Sequence, residues 1–427
     1  MTAAVTPVST PAAFTPERLM PWRTARRKYL PDWLSRLVFT APLAPTPAEW
    51  QAVSDGVQQG DPLMDAVVDW MFETGPRQAK PLFDQALQQG IASIDNPPAP
   101  LKAFFDHIEH PPAWLQPELL DKGALVSHLG GNVGFFVLRD MALMGGYVYF
   151  NSMNQTLAAS GALGKQTSQR LGETGKWLND VTEPGGMSRF GPGFTTTVQV
   201  RLVHALVRRN LQRKPDWNLQ RWGVPINQID MQATYLAFGP VSLLGARLFG
   251  VPVLPSQSAA FMHLWRYVGW LMGVDESRLA ITERDGLRKL YHTFLTHRLP
   301  DEKVGLMGSA LRDEPLERPL PDLEEGSLKA KWRRWFTYQQ HLSNSSLILL
   351  PRQRRQLGLP LWILPWYPAV SAPLRFVKLG WLQLRGGDVQ ERYRQKARQQ
   401  QLDLLKTYFG NAAPDIIQPG ASHPAHL

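Results

Sequence analysis

Two short segments about thirty residues apart carry the side chains with the most chemical potential in this chain. They are R-L-G-E-T, with Arg170 and Thr174, and R-L-V-H-A-L-V-R-R, with Arg201, His204 and Arg208. The last three residues are spaced i, i+3 and i+7, which on an α-helix places one imidazole between two guanidiniums along a single face. Because the rest of that segment is almost entirely apolar, the helix is predicted to be buried.

A buried histidine flanked by two permanent cations needs an anion or a metal beside it. Haem would meet both needs, since its iron binds imidazole and its propionates pair with arginine. The pattern therefore predicts His204 as an iron ligand, with Arg201 or Arg208 in contact with a haem propionate. Two alternatives stay open, namely an ordinary core histidine and an ion pair of these arginines with a carboxylate such as Asp230.

The chain contains no cysteine, which removes several classes of site at once. Disulfide scaffolds, thiolate zinc sites, iron–sulfur clusters, thiol nucleophiles and covalent haem attachment all require cysteine. Any haem must therefore be held non-covalently, with histidine as the expected axial ligand. Serine-nucleophile, P-loop and dinucleotide-binding motifs are also missing, and the H-I-E-H pair of His107 and His110 lacks a nearby third metal ligand.

The formal net charge of +10 predicts an anionic partner, but no nucleic-acid-binding motif accompanies the charge. The segment K-A-K-W-R-R-W-F at 329–336 interleaves tryptophan with cations, which is typical of peripheral membrane contacts. The alternative for this segment is a solvated helix face with its aromatic side chains packed inward.

The R-R-K-Y-L segment at 26–30 is similar to an export signal, but no apolar region follows it. No stretch is apolar over the length that a bilayer span requires. We therefore expect a cytoplasmic protein, and a membrane-peripheral location remains open.

The helical periodicity and the scarcity of alternating patterns predict an all-α protein. We expect an N-terminal arm over 1–45, a haem-binding helical domain over 46–310, a C-terminal helical extension over 311–410 packed on the same domain, and a flexible tail over 411–427. Thr46 is expected to cap the first helix of the domain, a threonine at 195–197 to cap the histidine helix, and Asn227 or Asp230 to cap a later one. An acidic, proline-rich linker is expected at 313–326.

The R-L-V-H-A-L-V-R-R segment resembles the proximal-histidine signature of the latex-clearing proteins, or rubber oxygenases, and of the related fungal oxygenase of the mycophenolic acid pathway and bacterial relatives. Three further segments occur in the order which that family shows. R-L-G-E-T precedes the histidine, V-P-I-N-Q-I-D-M-Q-A-T-Y-L-A-F follows it, and W-R-Y-V-G-W-L-M-G-V comes later. The resemblance covers about residues 125 to 310.

This resemblance implies a globin-like helical core, with additional N- and C-terminal helices, that binds one haem b through His204. It implies that Arg170 and Thr174 line the distal side. Two positions depart from the family pattern. Residues 141–172 contain no carboxylate, and Asn154 lies near the position of the family's distal glutamate. Glu173 replaces a lysine, and it could serve as a base from another direction or pair with Arg170.

The implied activity is haem b-dependent oxidative cleavage of a carbon–carbon double bond with O2, in an apolar isoprenoid or lipid-like substrate. One alternative is a haem protein with peroxidase-like or other small-metabolite oxidation activity. A second is a non-enzymatic helical protein that binds haem or a membrane surface.

Overall fold

A computed structural model describes residues 15–25, 42–160, 167–296 and 302–409. Within these ranges the chain forms helices and turns and no strand, so the predicted all-α class is confirmed. The N-terminal helices are α1 (Trp22–Ala25), α2 (Pro47–Gly56), α3 (Pro62–Thr74), α4 (Pro76–Gln89), α5 (Ala99–Glu109) and α6 (Pro117–His128).

The helices that follow run through the middle of the chain, and two π-helical segments, Val137–Leu143 and Ala237–Val241, interrupt them. They are α7 (Val133–Phe136), α8 (Met144–Tyr149), α9 (Asn151–Ala159), α10 (Thr167–Val181), α11 (Pro192–Arg213), α12 (Leu219–Trp222), α13 (Gln228–Leu236), α14 (Ser242–Leu248), α15 (Pro255–Leu271) and α16 (Glu283–Thr293). The C-terminal helices are α17 (Val304–Glu317), α18 (Leu328–Ser346), α19 (Pro351–Gln356), α20 (Trp366–Arg385) and α21 (Gly387–Phe409). Short 3₁₀ turns lie at Ile91–Ser93, Glu276–Arg278 and Phe294–Thr296.

Local capping signals mark several of the helix starts. Thr46 caps α2 in a reciprocal capping box with Glu49, and Asn227 caps α13 by accepting from two backbone N–H groups, both as predicted. The predicted threonine cap of α11 is wrong, because this helix begins earlier, at Pro192. Proline suits that first position since its fixed φ is helical and no N–H is left unpaired.

A buried arginine helps to attach the described part of the N-terminal arm to the helical domain, together with the apolar side chains of Leu19 and Ala25. Arg18 is 1% exposed, and its guanidinium donates to Asp230 Oδ1 over 2.6 Å and to Thr296 Oγ1 over 3.0 Å. Residues 1–14 and 26–41 of the predicted arm, and the predicted tail over 411–427, lie outside the described residues.

The largest apolar core joins α3 to α6 with α10, α11, α13 and α15. Its closest helix crossing is between α6 and α15, where a Cβ at Gly123 would lie 2.5 Å from the carbonyl oxygen of Ala260. A second core joins α8 and α10 to α17, α18 and α21. Through it, the C-terminal helices pack on the helices that precede them.

The predicted linker at 313–326 is wrong in its first part, because α17 continues to Glu317 and contains Pro315. Glu314 is buried and accepts hydrogen bonds from Arg318 and Arg139. Arg139 is a long-range partner of Glu314, whereas Arg318 lies only four residues further along the chain. Helix α17 also crosses the expected boundary between residues 310 and 311.

Candidate functional site

The two segments singled out from the sequence lie on consecutive, packed helices, α10 and α11. A Cβ at Gly193 would lie 2.7 Å from the Asp180 carbonyl oxygen, and Trp177 Nε1 donates to Thr197 Oγ1 over 2.9 Å. Because the paired residue numbers fall on α10 as they rise on α11, the helices run antiparallel. Arg170 lies seven residues before Trp177 on α10, and His204 lies seven residues after Thr197 on α11. The same antiparallel register therefore brings Arg170 and His204 to the same level along the helix pair.

One accessible strip on α11 contains three valines and His204, and the polar residues Gln199, Arg209 and Asn210 of this helix are also partly exposed. Four residues of this strip are partly exposed, namely Val200, Val203, His204 and Val207. The other apolar residues of the helix between 202 and 206 are buried. The strip follows the i, i+3, i+4, i+7 spacing of one helix face. An apolar planar molecule could pack against the valines of this strip.

The imidazole of His204 is neutral and has no hydrogen-bond partner at its Nδ1 atom. Burial, reinforced by the nearby charge of Arg208, lowers its pKa to about 4. The Nδ1 atom is buried without a partner among the described residues. A neutral imidazole without a hydrogen-bond partner has a lone pair available for a metal.

The guanidinium of Arg201 is already satisfied by protein groups. It donates to both oxygens of Asp61, over 2.6 and 2.8 Å, and to the Leu271 carbonyl oxygen over 2.9 Å. It also lies over the Phe104 ring, with its Cζ 5.0 Å from the centroid. Asp61 is the N-cap of α3, so the ion pair also ties α11 to the start of α3.

Arg208 is paired in the same way about two turns further along α11. It donates to Asp65 and, over 2.9 Å, to the Ile226 carbonyl oxygen. The ion pair considered from the sequence is therefore present for both arginines, but its carboxylates are Asp61 and Asp65. Asp230, the partner suggested from the sequence, pairs with Arg18 instead. The buried charges flanking His204 are thus balanced without a propionate.

On α10, Arg170 and Glu173 are partly exposed and Thr174 is exposed. Glu173 accepts from Gln169 Nε2 over 3.1 Å. Burial raises the pKa of Glu173, and the nearby charge of Arg170 opposes this shift only in part. A carboxylate with a raised pKa is a stronger proton acceptor than an ordinary one.

The position expected for a distal carboxylate is held by an amide. Asn154 is 1% exposed, and its Nδ2 donates to the Tyr147 carbonyl oxygen over 2.8 Å. The charge of Arg170 acts on the Tyr147 hydroxyl, whose pKa is raised by burial. Asn154, Tyr147 and Arg170 therefore belong to one neighbourhood, and the amide in it cannot accept a proton.

A second group of buried polar side chains was not anticipated from the sequence. Asp140 accepts from Arg139 over 2.8 Å and lies 2.8 Å from His341 Nδ1, and Arg139 also pairs with Glu314. Burial lowers the pKa of His341 to about 4. The available signal was the charged pair Arg139 and Asp140 inside an apolar run, which must be neutralised by partners when it is buried.

Two cavities adjoin the C-terminal helices. One of 60 Å³ lies between Phe135 and Tyr408, and one of 160 Å³ lies beside Arg318 and His341. Neither is lined by a residue of α11. The case for a ligand at His204 therefore depends on the helix faces described above.

The tryptophan-rich segment at 329–336 forms part of α18. The inward packing considered from the sequence is wrong for both tryptophans, since Trp332 is 61% exposed and Trp335 is 54% exposed. Within the described ranges no single helix is long and apolar enough to cross a bilayer, although Val133–Tyr149 and Asn151–Ala159 meet the length and composition together with a bend of 95°.

No group of three or more His, Asp or Glu side chains that could hold a metal ion occurs among the described residues. His297, which the sequence places near His292, lies outside the described part of the chain.

Comparison with known proteins gives three findings. Residues 135–381 match the family model of the ER-bound oxygenase mpaB/B'/Rubber oxygenase catalytic domain. The rubber oxygenase of Streptomyces sp. (strain K30) is 25% identical over 236 residues, which are 53% of this chain and 54% of that protein. The chain thus spans about half the length of this curated relative. The structure of latex clearing protein LCP in the closed state shares the fold, with a TM-score of 0.53 and 19% identity over 80% of this chain and 88% of that one.

Proposed function

This chain belongs to the family of ER-bound oxygenases mpaB/B' and rubber oxygenases, and from this we propose that it is a haem b-dependent oxygenase. Its substrate is an apolar, unsaturated molecule of isoprenoid or lipid-like character, and the reaction is oxidative cleavage of a carbon–carbon double bond with O2. The observation that carries the proposal is His204, a neutral imidazole without a hydrogen-bond partner at Nδ1, on an apolar strip inside the matched region.

The residues around His204 fit a haem in three respects. The valines beside the imidazole offer an apolar face to a macrocycle. The imidazole is neutral at pH 7, since its pKa is about 4. His204 belongs to no group of three or more metal-ligating side chains among the described residues, and haem iron brings its equatorial ligands with it. Haem would supply the activation of O2 when bound.

The chain's own residues would bind the substrate and control protons. The apolar strip of Val200, Val203 and Val207 would hold an alkene and exclude water from it. Arg170 lies at the height of His204 on the facing helix and would orient a polar or anionic group there. Glu173, whose pKa is raised by burial, is the carboxylate best placed on α10 to accept a proton.

A second candidate, peroxidase-like or other small-metabolite oxidation, is favoured by Asn154. This amide occupies the region where the family resemblance places a basic glutamate, and it donates to a backbone carbonyl. If Glu173 does not replace that base, the haem chemistry would differ from double-bond cleavage. The substitution Glu173→Gln separates the two candidates, because only the cleavage reaction is expected to lose most of its rate.

The first experiment is the visible absorption spectrum of the purified chain beside that of His204→Ala. We expect a Soret band in the parent and its loss in the variant. His110→Ala is the matched control, because that imidazole is exposed and bonds a backbone carbonyl, and it should keep the band. Absence of a Soret band from the parent after expression with added haem would refute haem dependence.

The second experiment measures oxygen consumption with a small isoprenoid alkene and with its saturated analogue. We expect oxygen consumption with the alkene but not with its saturated analogue, and carbonyl compounds as the products. Equal uptake with both compounds, or none with either, would contradict double-bond cleavage even if haem is bound.

A further inference from the structure

One long segment carries cations without any carboxylate. Residues 326–387 contain ten Lys and Arg residues and no Asp or Glu, and the whole chain has a net formal charge of +10. The segment includes α18, α19 and α20. A surface built from it attracts anions strongly, since no acidic side chain of its own screens it.

The same segment holds most of the exposed large apolar side chains. Of the 25 such residues found in the described part of the chain, 15 lie between residues 326 and 387. A soluble monomer rarely exposes a contiguous apolar patch of this kind unless something covers it.

Helix α20 shows the pattern most clearly. Five of its apolar side chains are between 50% and 89% exposed, namely Val370, Leu374, Val377, Trp381 and Leu384. Their spacing of four, three, four and three residues places them along one helix face, over a length of about 21 Å. The opposite face contains the buried Leu379 and Leu382.

Aromatic contacts connect this exposed apolar face of α20, the α20 stripe, to α18. The Trp332 and Phe336 rings stack with centroids 5.4 Å apart, and Phe336 meets Trp366, the first residue of α20, at 6.0 Å. Just before Trp366, the side chains of Trp362 and Leu364 are both more than 70% exposed. The α20 stripe, these two residues and the α18 tryptophans therefore form one continuous area, here named the cationic apolar surface.

We propose that the cationic apolar surface docks on an anionic lipid bilayer, with α20 lying in the plane of the interface. Its leucine, valine and tryptophan side chains would enter the boundary between headgroups and acyl chains. Lys329, Lys331 and Lys378 would extend along the apolar layer and place their ammonium groups at lipid phosphates.

Charge decides against a second copy of the chain as the occupant. The apolar spacing on α20 could form a helical seam, but a symmetric pair would bring Lys378 and Arg385 of each copy together with no acidic side chain on α20 to pair them. A nucleic acid would match the cations and leave the exposed apolar stripe uncovered. An anionic bilayer satisfies both features, and the inference is independent of the reaction proposed at His204.

The test is sedimentation of the full chain with vesicles of phosphatidylcholine alone and of phosphatidylcholine with 30% phosphatidylserine. We expect binding to the anionic vesicles, with a decrease at high salt. The substitutions Leu374→Gln and Val377→Gln together should weaken it on the order of tenfold or more, because they remove two apolar side chains from the interface. Ile281→Gln with Leu306→Gln is the matched control, since both residues are about two-thirds exposed elsewhere.

The charge contribution is tested by Lys329→Gln with Lys331→Gln. Each lysine near an anionic leaflet contributes about fivefold in affinity, so the pair should weaken binding on the order of 25-fold. Lys122→Gln with Lys406→Gln, exposed lysines outside the surface, should leave binding unchanged. Circular dichroism confirms that each variant is folded.

Three results would overturn the proposal. The first is no sedimentation of the parent with anionic vesicles. The second is equal binding to neutral vesicles, or equal loss in the control variants. The third is a dimer detected by light scattering that Leu374→Gln with Val377→Gln dissociates, which would assign the surface to a second copy.

Discussion

Replacing Arg201 by methionine should destabilise the fold more than any single surface change on α11. Methionine keeps most of the side-chain volume and removes the charge, which leaves Asp61 buried and unpaired. Both side chains of this ion pair are 3% exposed. Removing one partner of such a pair costs about 3–5 kcal/mol, because the remaining charge keeps its desolvation penalty.

The expected change in melting temperature follows from the size of the chain. An entropy of unfolding of about 2.1 cal/mol/K per residue gives roughly 0.9 kcal/mol/K for the 427 residues. A loss of 3–5 kcal/mol therefore lowers the melting temperature by roughly 3–6 °C. Arg209→Met is the matched control on the same helix. Its partner Asp69 is 60% exposed, so this change should cost about 1 kcal/mol and about 1 °C.

The dependence on pH gives an independent check of this reasoning. In the parent, burial raises the pKa of Asp61, but the charge and hydrogen bonds of Arg201 outweigh burial and the net shift is downward. The pair thus adds stability above the ordinary aspartate pKa, and this stability is lost as the pH falls. Without Arg201, burial raises the pKa of Asp61. The Arg201→Met variant is therefore least stable at the pH values at which Asp61 must be charged. The difference in melting temperature between the variant and the parent should therefore become smaller from pH 7 towards pH 4.

The assay is thermal unfolding followed by circular dichroism at several pH values, with haem content measured below the melting range. The ion pair with Asp61 predicts unchanged haem content in Arg201→Met, because the guanidinium is already satisfied. Equal melting temperatures for the parent and Arg201→Met would refute the buried-pair argument. A loss of haem from the folded variant would show that Arg201 also serves a propionate.

Two further predictions concern helix packing and acid stability. Gly123→Ala should destabilise the fold by about 1–3 kcal/mol, because its Cβ would lie 2.5 Å from the Ala260 carbonyl oxygen. Gly145→Ala, which meets nothing within 4 Å, should be neutral or slightly stabilising in the same melting assay, and equal effects would contradict the close crossing. The pKa of Glu314 is about 2, because paired arginines outweigh its burial, so roughly 3 kcal/mol of stability should be lost as the pH falls from 4.5 to 2. Glu314→Gln should flatten this acid transition and Glu325→Gln, at an exposed site, should not; equal pH profiles would contradict the pairing.

Local features were predictable from the sequence. The capping box of Thr46 and the asparagine cap of α13 both involve residues within one helical turn of each other. Their energetics depend on backbone groups that are adjacent in the chain. The motif series for the oxygenase family was visible for the same reason, since each motif occupies a short segment.

Long-range partners were not predictable. The carboxylates that hold Arg201 and Arg208 lie about 140 residues earlier in the chain, and no local pattern distinguishes them from Asp230. Arg139, a partner of Glu314 in α17, likewise lies far away in sequence. In each case a buried charge pairs with the opposite charge that lies nearest in space. Helix packing alone determines which residue that is.

By itself, the sequence determined the helical class, the starts of α2 and α13 and the candidacy of His204, because periodicity, caps and motifs act over neighbouring residues. Only the tertiary structure decided which charges are neutralised and which apolar side chains stay exposed. It assigned the arginines beside His204 to ion pairs and left the tryptophans of α18 accessible. Both outcomes depend on which helix faces meet, and burial of apolar area and of charge is settled only when the helices pack.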